Sequence, residues 1–337
     1  MPQGQNDDHA PEMQSSPTEI KDAPAPFDDR DADVILRSCD LVDFRVFKVV
    51  LSFASPVFKS MFTLPQSPSS ARTIVADDDD HRDGIPVVRL SEDATTLESV
   101  LRACYPGTSP HIDCLEDIVR VLTVAEKYEM EVFRVTAREM LLNGLESRPF
   151  LRYAIARRFK FKDVCTRAAV ASLVLSHKAI LQYPSETVTS PLLSLITADQ
   201  FRHLLLYHYR CGEVASGVPL SRHWLSTLPP LIMSRALQCS RCQEKRTPVD
   251  TDGQAQPPPF YAPTLLWNTL DRVARALRET PDAKGATNVF QSAGDVGSCG
   301  LCLINRSGLI VLVRQSLMDA INVAVAEVKP SDFGIES

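Results

Sequence analysis

Residues 31–62 read DADVILRSCDLVDFRVFKVVLSFASPVFKSMF, and the change of hydrophobic period inside this stretch decides the fold. Val34, Ile35 and Leu36 are β-branched or apolar and lead into the turn residues Ser38-Cys39-Asp40. Beyond the turn, Phe44 and Val46 alternate with Asp43 and Arg45, the period of two expected of a half-buried strand. From Lys48 onward Val50, Leu51, Ala54, Val57, Phe58, Met61 and Phe62 recur three or four apart, which is a helical period. Pro56 interrupts that run after Ser55. Its missing amide is one that the first turn of a helix leaves unused, so it opens a second helix. The stretch predicts strand, strand, short helix, short helix, with one almost wholly apolar inner face.

Working outward, residues 86–90 (PVVRL) predict a further strand, and Ser91-Glu92-Asp93 supply caps for the helix after it. Leu97, Val100, Leu101 and Cys104 share one face of that helix, which ends at Tyr105-Pro106-Gly107. Another helix starts near Cys114 and carries Leu115, Ile118, Leu122, Ala125 and Tyr128. The next holds Val132, Phe133, Val135, Ala137, Met140 and Leu141, and Asn143-Gly144 stops it.

This order and these residues resemble a BTB/POZ domain. Asp33-Val34, Phe44, Lys48, Leu51, Ser55, Phe58 and Phe62 occupy the positions of that family's opening pattern. CYPG at 104–107 and LTVAEKYEM at 122–130 sit where it has a helix end and its Ala-x-x-Tyr helix. Phe47 stands where the family usually has histidine. The wording of SPVFKSMF, with an insertion after it, is most similar to BTB proteins of basidiomycete fungi. The resemblance implies an α+β fold, a small β-sheet flanked by helices, followed here by a mostly α-helical C-terminal region. It also implies association with itself or another BTB protein through the opening strand and helix, and a substrate adaptor role on a cullin scaffold. Asp33 and Lys48 match the family's paired charges at the dimer groove.

Bulk properties set the limits. The chain has 337 residues, 44% hydrophobic and 23% charged, ordinary for a globular protein with room for two or three domains. A net charge of −6 gives no overall attraction to nucleic acid or to an anionic membrane. No apolar run approaches the roughly 18 residues that would span a bilayer, and the polar, acidic N-terminus lacks a secretion or transit pattern. Cytoplasm or nucleus is the expected location, and nine cysteines in that setting argue for thiols or metal sites over a disulfide framework. The expected organisation is a Pro-rich acidic tail at 1–30, the BTB domain at 31–143 with a solvated loop at 65–86, a helical extension at 144–184 and a helical region at 185–337.

In that last region Thr197-Ala-Asp-Gln200 is a capping box, opening a helix through Phe201, Leu204, Leu205 and Tyr209. An apolar turn at 231–237 and a polar linker at 245–259 follow. Leu266, Leu270, Val273, Ala274 and Leu277 then share a helical face. The longest helix spans 306–328, with Leu309, Leu312, Val313, Leu317, Ala320, Ile321, Ala324 and Val328 as its stripe.

Chemistry is sparse. Two pairs, Cys239-Ser-Arg-Cys242 and Cys299-Gly-Leu-Cys302, have the spacing of zinc knuckles and could supply four thiolates to one structural zinc. Their separation exceeds ordinary zinc-ribbon spacing, so buried structural cysteines stand equally beside that reading. A redox pair is disfavoured because neither lies between a strand and a helix. Cys211, His203, His208 and His223 are substitute ligands. The run Asp77-Asp78-Asp79-Asp80 lacks the interleaved spacing and glycine of a calcium loop. No phosphate loop, HExxH or Gly-x-Ser-x-Gly is present, so catalysis is not expected. Arg148, Arg152, Arg157, Arg158, Lys160, Lys162 and Arg167 carry the alternative: a nuclear regulator whose zinc-stapled C-terminal region contacts nucleic acid. They scatter around the helix, which favours a solvated face. A protein-interaction module with an unknown substrate protein as partner is the leading expectation.

Overall fold

The computed structural model describes residues 19–63, 81–182, 194–221, 224–225, 228, 243–246, 260–292 and 306–335. The chain divides into two compact units, Met1–Ala137 and Arg138–Ser337, with the boundary inside one helix.

In the first unit, β1 (Lys21–Asp22), β2 (Val34–Arg37), β3 (Val42–Val46), β4 (His81–Arg82) and β5 (Ile85–Arg89) form one mixed sheet in the order β1-β3-β2-β5-β4. β2 and β3 are the predicted hairpin, antiparallel with Val34 opposite Val46 and Arg37 opposite Asp43. β5 joins β2 in parallel, and β1 joins β3 in parallel. The unbroken apolar run of β2 follows from its place in the middle of the sheet. Covered on both faces, Val34, Ile35 and Leu36 are all fully buried, so alternation would leave polar groups inside.

Around the sheet lie α1 (Lys48–Ala54), α2 (Pro56–Thr63), α3 (Ala94–Cys104), α4 (Leu115–Lys127) and α5 (Val132–Leu142). Asp93 caps α3 by accepting from the Thr96 amide, as the sequence predicts. On α5 only the face carrying Phe133, Ala137 and Leu141 is buried, while Val132 and Val135 are exposed.

Two boundaries move. The tail expected through residue 30 ends sooner: β1 is a strand, and Phe27 is fully buried with its ring edge-on to Phe44 and Tyr105. A single aromatic anchor inside a proline-rich, acidic run offset the composition that suggested disorder. The solvated loop expected at 65–86 ends sooner too, since β4 and β5 begin at His81 and Ile85. Residues 64–80, including the four aspartates, lie outside the described residues.

The second unit contains α6 (Pro149–Arg158), α7 (Lys162–Ala171), α8 (His177–Gln182), α9 (Ala198–Gly217), α10 (Thr264–Glu279), α11 (Ala283–Ser292) and α12 (Arg306–Ala326). α6 is buried nearly all round, which explains its lack of amphipathic patterning. The capping box at Thr197 forms, with Thr197 accepting from the Gln200 amide. α9 buries Leu204, Tyr207, His208 and Cys211 and leaves Tyr209 exposed. α9, α10, α11 and α12 enclose a core of Trp267, Leu270, Val273, Leu277, Leu317 and Ile321. The sequence reading missed an antiparallel pair, β6 (Gln243–Arg246) with β7 (Phe260–Pro263), the first of which overlaps the expected linker. The apolar turn expected at 231–237 lies outside the described residues. Among the described residues no helix is long and apolar enough to cross a membrane.

Candidate interaction surface

The predicted site residues Asp33 and Lys48 meet at the start of α1. An Asp33 carboxylate oxygen accepts from the Lys48 backbone amide at 2.7 Å, and the Tyr105 hydroxyl accepts from the Phe47 amide at 2.9 Å. Phe47 is the N-cap and has no side chain able to cap, so Asp33 and Tyr105 satisfy amides that a helix start leaves open. The two charges are therefore joined through backbone. The Lys48 ammonium lies 5.9 Å over the Phe62 ring.

The inner face of α1 and α2 is fixed firmly. Leu51 and Phe58 are buried, Phe58 stacks on Tyr128 at 4.6 Å, and the Ser55 hydroxyl donates to the Tyr128 carbonyl while accepting from the Phe58 amide. The outer face of α1 is unusual. Val49 and Phe53, one turn apart, are 57% and 89% exposed. Neither was singled out in the sequence, although the signal was present: both fall out of phase with the Leu51 face.

Within the sheet an ion network ties the strands together. Asp43 is 0% exposed and takes two bonds from Arg37, 2.6 and 2.9 Å, and one from Arg82 at 2.6 Å. Arg82 continues to Asp22 on β1, while Arg45 pairs with Asp83. This network, absent from the sequence reading, was visible only as Arg37 and Asp43 flanking the turn.

The other candidates fare differently. Cys239, Cys242, Cys299, Cys302 and His223 lie outside the described residues. Of the substitute ligands, burial pushes the Cys211 thiol up to about 11, which disfavours the thiolate. The His208 Nε2 sits 3.2 Å from the Ser172 carbonyl, and the His203 Nε2 faces Asp199. Among the described residues no group of three or more His, Cys, Asp or Glu is placed to hold a metal. Burial likewise pushes Cys104 up to about 12. Two of the seven bases in the stretch 148–167 turn inward. Arg152 donates to the Met140, Leu141 and Ser147 carbonyls, and Arg157 to those of Gly334 and Ile335. Arg158 lies over the Phe159 ring. The other five, Arg148, Arg158, Lys160, Lys162 and Arg167, are exposed.

Comparison with known families agrees with the sheet and its helices. Residues 27–145, about a third of the chain, match the BTB/POZ domain, a match that begins at the buried Phe27. This chain carries a BTB domain, a protein-interaction fold made of a small mixed sheet flanked by helices, followed by a mostly helical remainder.

Proposed function

We propose that this protein self-associates, or pairs with another BTB protein, through the outer face of α1, and serves as a non-enzymatic adaptor between a cullin scaffold and a substrate protein. The observation that carries the reading is the exposed pair Val49 and Phe53. An aromatic ring 89% exposed on a rigid helix, beside the Asp33 and Lys48 pair and inside the matched segment, is placed as an anchor residue at a protein contact would be. The adaptor role rests on the family resemblance, with the second unit as the part left to receive a substrate.

The test uses sedimentation velocity of the full chain. Phe53→Asp buries a charge in the proposed contact and should weaken association by about 100-fold or more, with helicity unchanged. Asp33→Asn keeps an oxygen for the Lys48 amide and removes only the charge. A loss of association without loss of folding would assign the charge to the contact. A cullin pull-down on the same samples tests the adaptor role, and absence of binding by an associating wild-type chain would leave a scaffold in its place.

A further inference from the structure

After α12 the chain turns back onto its own unit. Pro330–Phe333 forms a single 3-10 turn packed against α7 and α9, and Gly334 leaves it in the left-handed region at φ 67. The Phe333 ring sits edge-on to Tyr207, 5.8 Å between centroids. Ile335 is 0% exposed, yet it is not part of the main core around Trp267 and Leu317. Arg157 of α6 donates to the carbonyls of both Gly334 and Ile335, at 3.3 and 2.8 Å. The segment is therefore held as a bound peptide is held: one aliphatic anchor, one aromatic contact and backbone carbonyls on an arginine.

One observation indicates that this arrangement is not optimised for the segment it contains. The Nε of Arg157 is buried without an acceptor. A ligand offering one more oxygen to that donor would bind better than the segment at 330–335.

We propose that the groove between α6, α7 and α9 is a peptide-recognition site, occupied by residues 330–335 until an aromatic–Gly–aliphatic segment of a partner protein with a further acceptor for Arg157 displaces them. The chain's own segment then acts as a competing ligand whose release sets the apparent affinity. This inference does not depend on self-association through α1.

The probe is a fluorescent, end-capped peptide of residues 329–336, KPSDFGIE, followed by anisotropy against the full chain. The variant Phe333→Ala/Ile335→Asp, which empties the groove, should bind it at least about tenfold tighter than wild type, and adding Arg157→Ala should remove most of that gain. A folded variant that does not bind the peptide overturns the proposal. Should the variant fail to fold, hydrogen exchange in the wild-type chain decides. Exchange at Gly334 and Ile335 about 100-fold or more faster than in α9 supports a detachable segment, and equal exchange overturns it.

Discussion

Asp43 shows how much one side chain carries. It stands directly opposite Arg37 across the β2–β3 hairpin, and Arg37 is itself only 3% exposed. Asp43→Ala would leave that cation buried without its main partner. The expected loss is about 3–5 kcal/mol, read as a drop in the urea midpoint of the first unit, and an unchanged midpoint would contradict it. Burial pushes the Asp43 carboxyl up, but the hydrogen bonds from Arg37 and Arg82 outweigh it, so the group lies below its ordinary 3.8. Its contribution is full above that value and disappears as pH falls through the lowered one. His208 sets an earlier limit in the other unit. Its ring is 0% exposed, 4.7 Å from the His177 ring, with Nδ1 lacking an acceptor. Burial, with His177 adding to it, pushes its imidazole from 6.5 down to about 4. His177 is lowered by burial as well, opposed only by Glu279. A depressed folded value means that stability is complete above 6.5 and is lost as pH falls toward 4, by on the order of 3 kcal/mol. Both tryptophans, Trp224 and Trp267, are buried in the second unit, so tryptophan fluorescence follows that unit alone. The emission should shift to the red between pH 6.5 and 4, and His208→Phe should move that transition to lower pH.

Among the elements, α9 and α10 come close together at Gly212. A Cβ built on Gly212 would lie 2.5 Å from the Arg278 carbonyl oxygen, and backbone cannot move aside as a side chain can. Gly212→Ala is expected to cost about 1–3 kcal/mol and to lower the thermal midpoint, despite alanine's better helix propensity. A raised midpoint would show that the helices have room to part. The same helices mark what was legible beforehand. The capping box at Thr197, the α10 face and the Val313-Leu317-Ile321 stripe follow from periodicity, as do the hairpin and helix pair at 34–63. Periodicity places the helices, but it does not say that Tyr209, Val132 and Val135 are exposed, because an apolar residue near the stripe cannot announce its exposure. β6 and β7 escaped because a pairing is a relation between two short segments, and neither QEKR nor FYAP alternates on its own. Of the candidate surface, the Asp33 and Lys48 positions came from family resemblance, whereas Tyr105 at the α1 start required three dimensions: it is 58 residues from Phe47 in the chain.

The whole molecule combines a BTB domain, for which association through α1 is the proposal, with a mostly helical second unit. The exposed Phe53 is the feature least compatible with a chain that works alone, because solvating a full aromatic ring on a rigid helix gains nothing for folding. The fold match covers residues 27–145, and the second unit takes its assignment from geometry alone. Sedimentation velocity of the full chain across a wide concentration range, wild type beside Phe53→Asp, tests the central claim most directly. The account predicts a wild-type species whose mass rises to a dimer with concentration, and a folded variant that remains monomeric over the same range. A wild-type chain monomeric throughout, or a variant that dimerises as well as wild type, would contradict it.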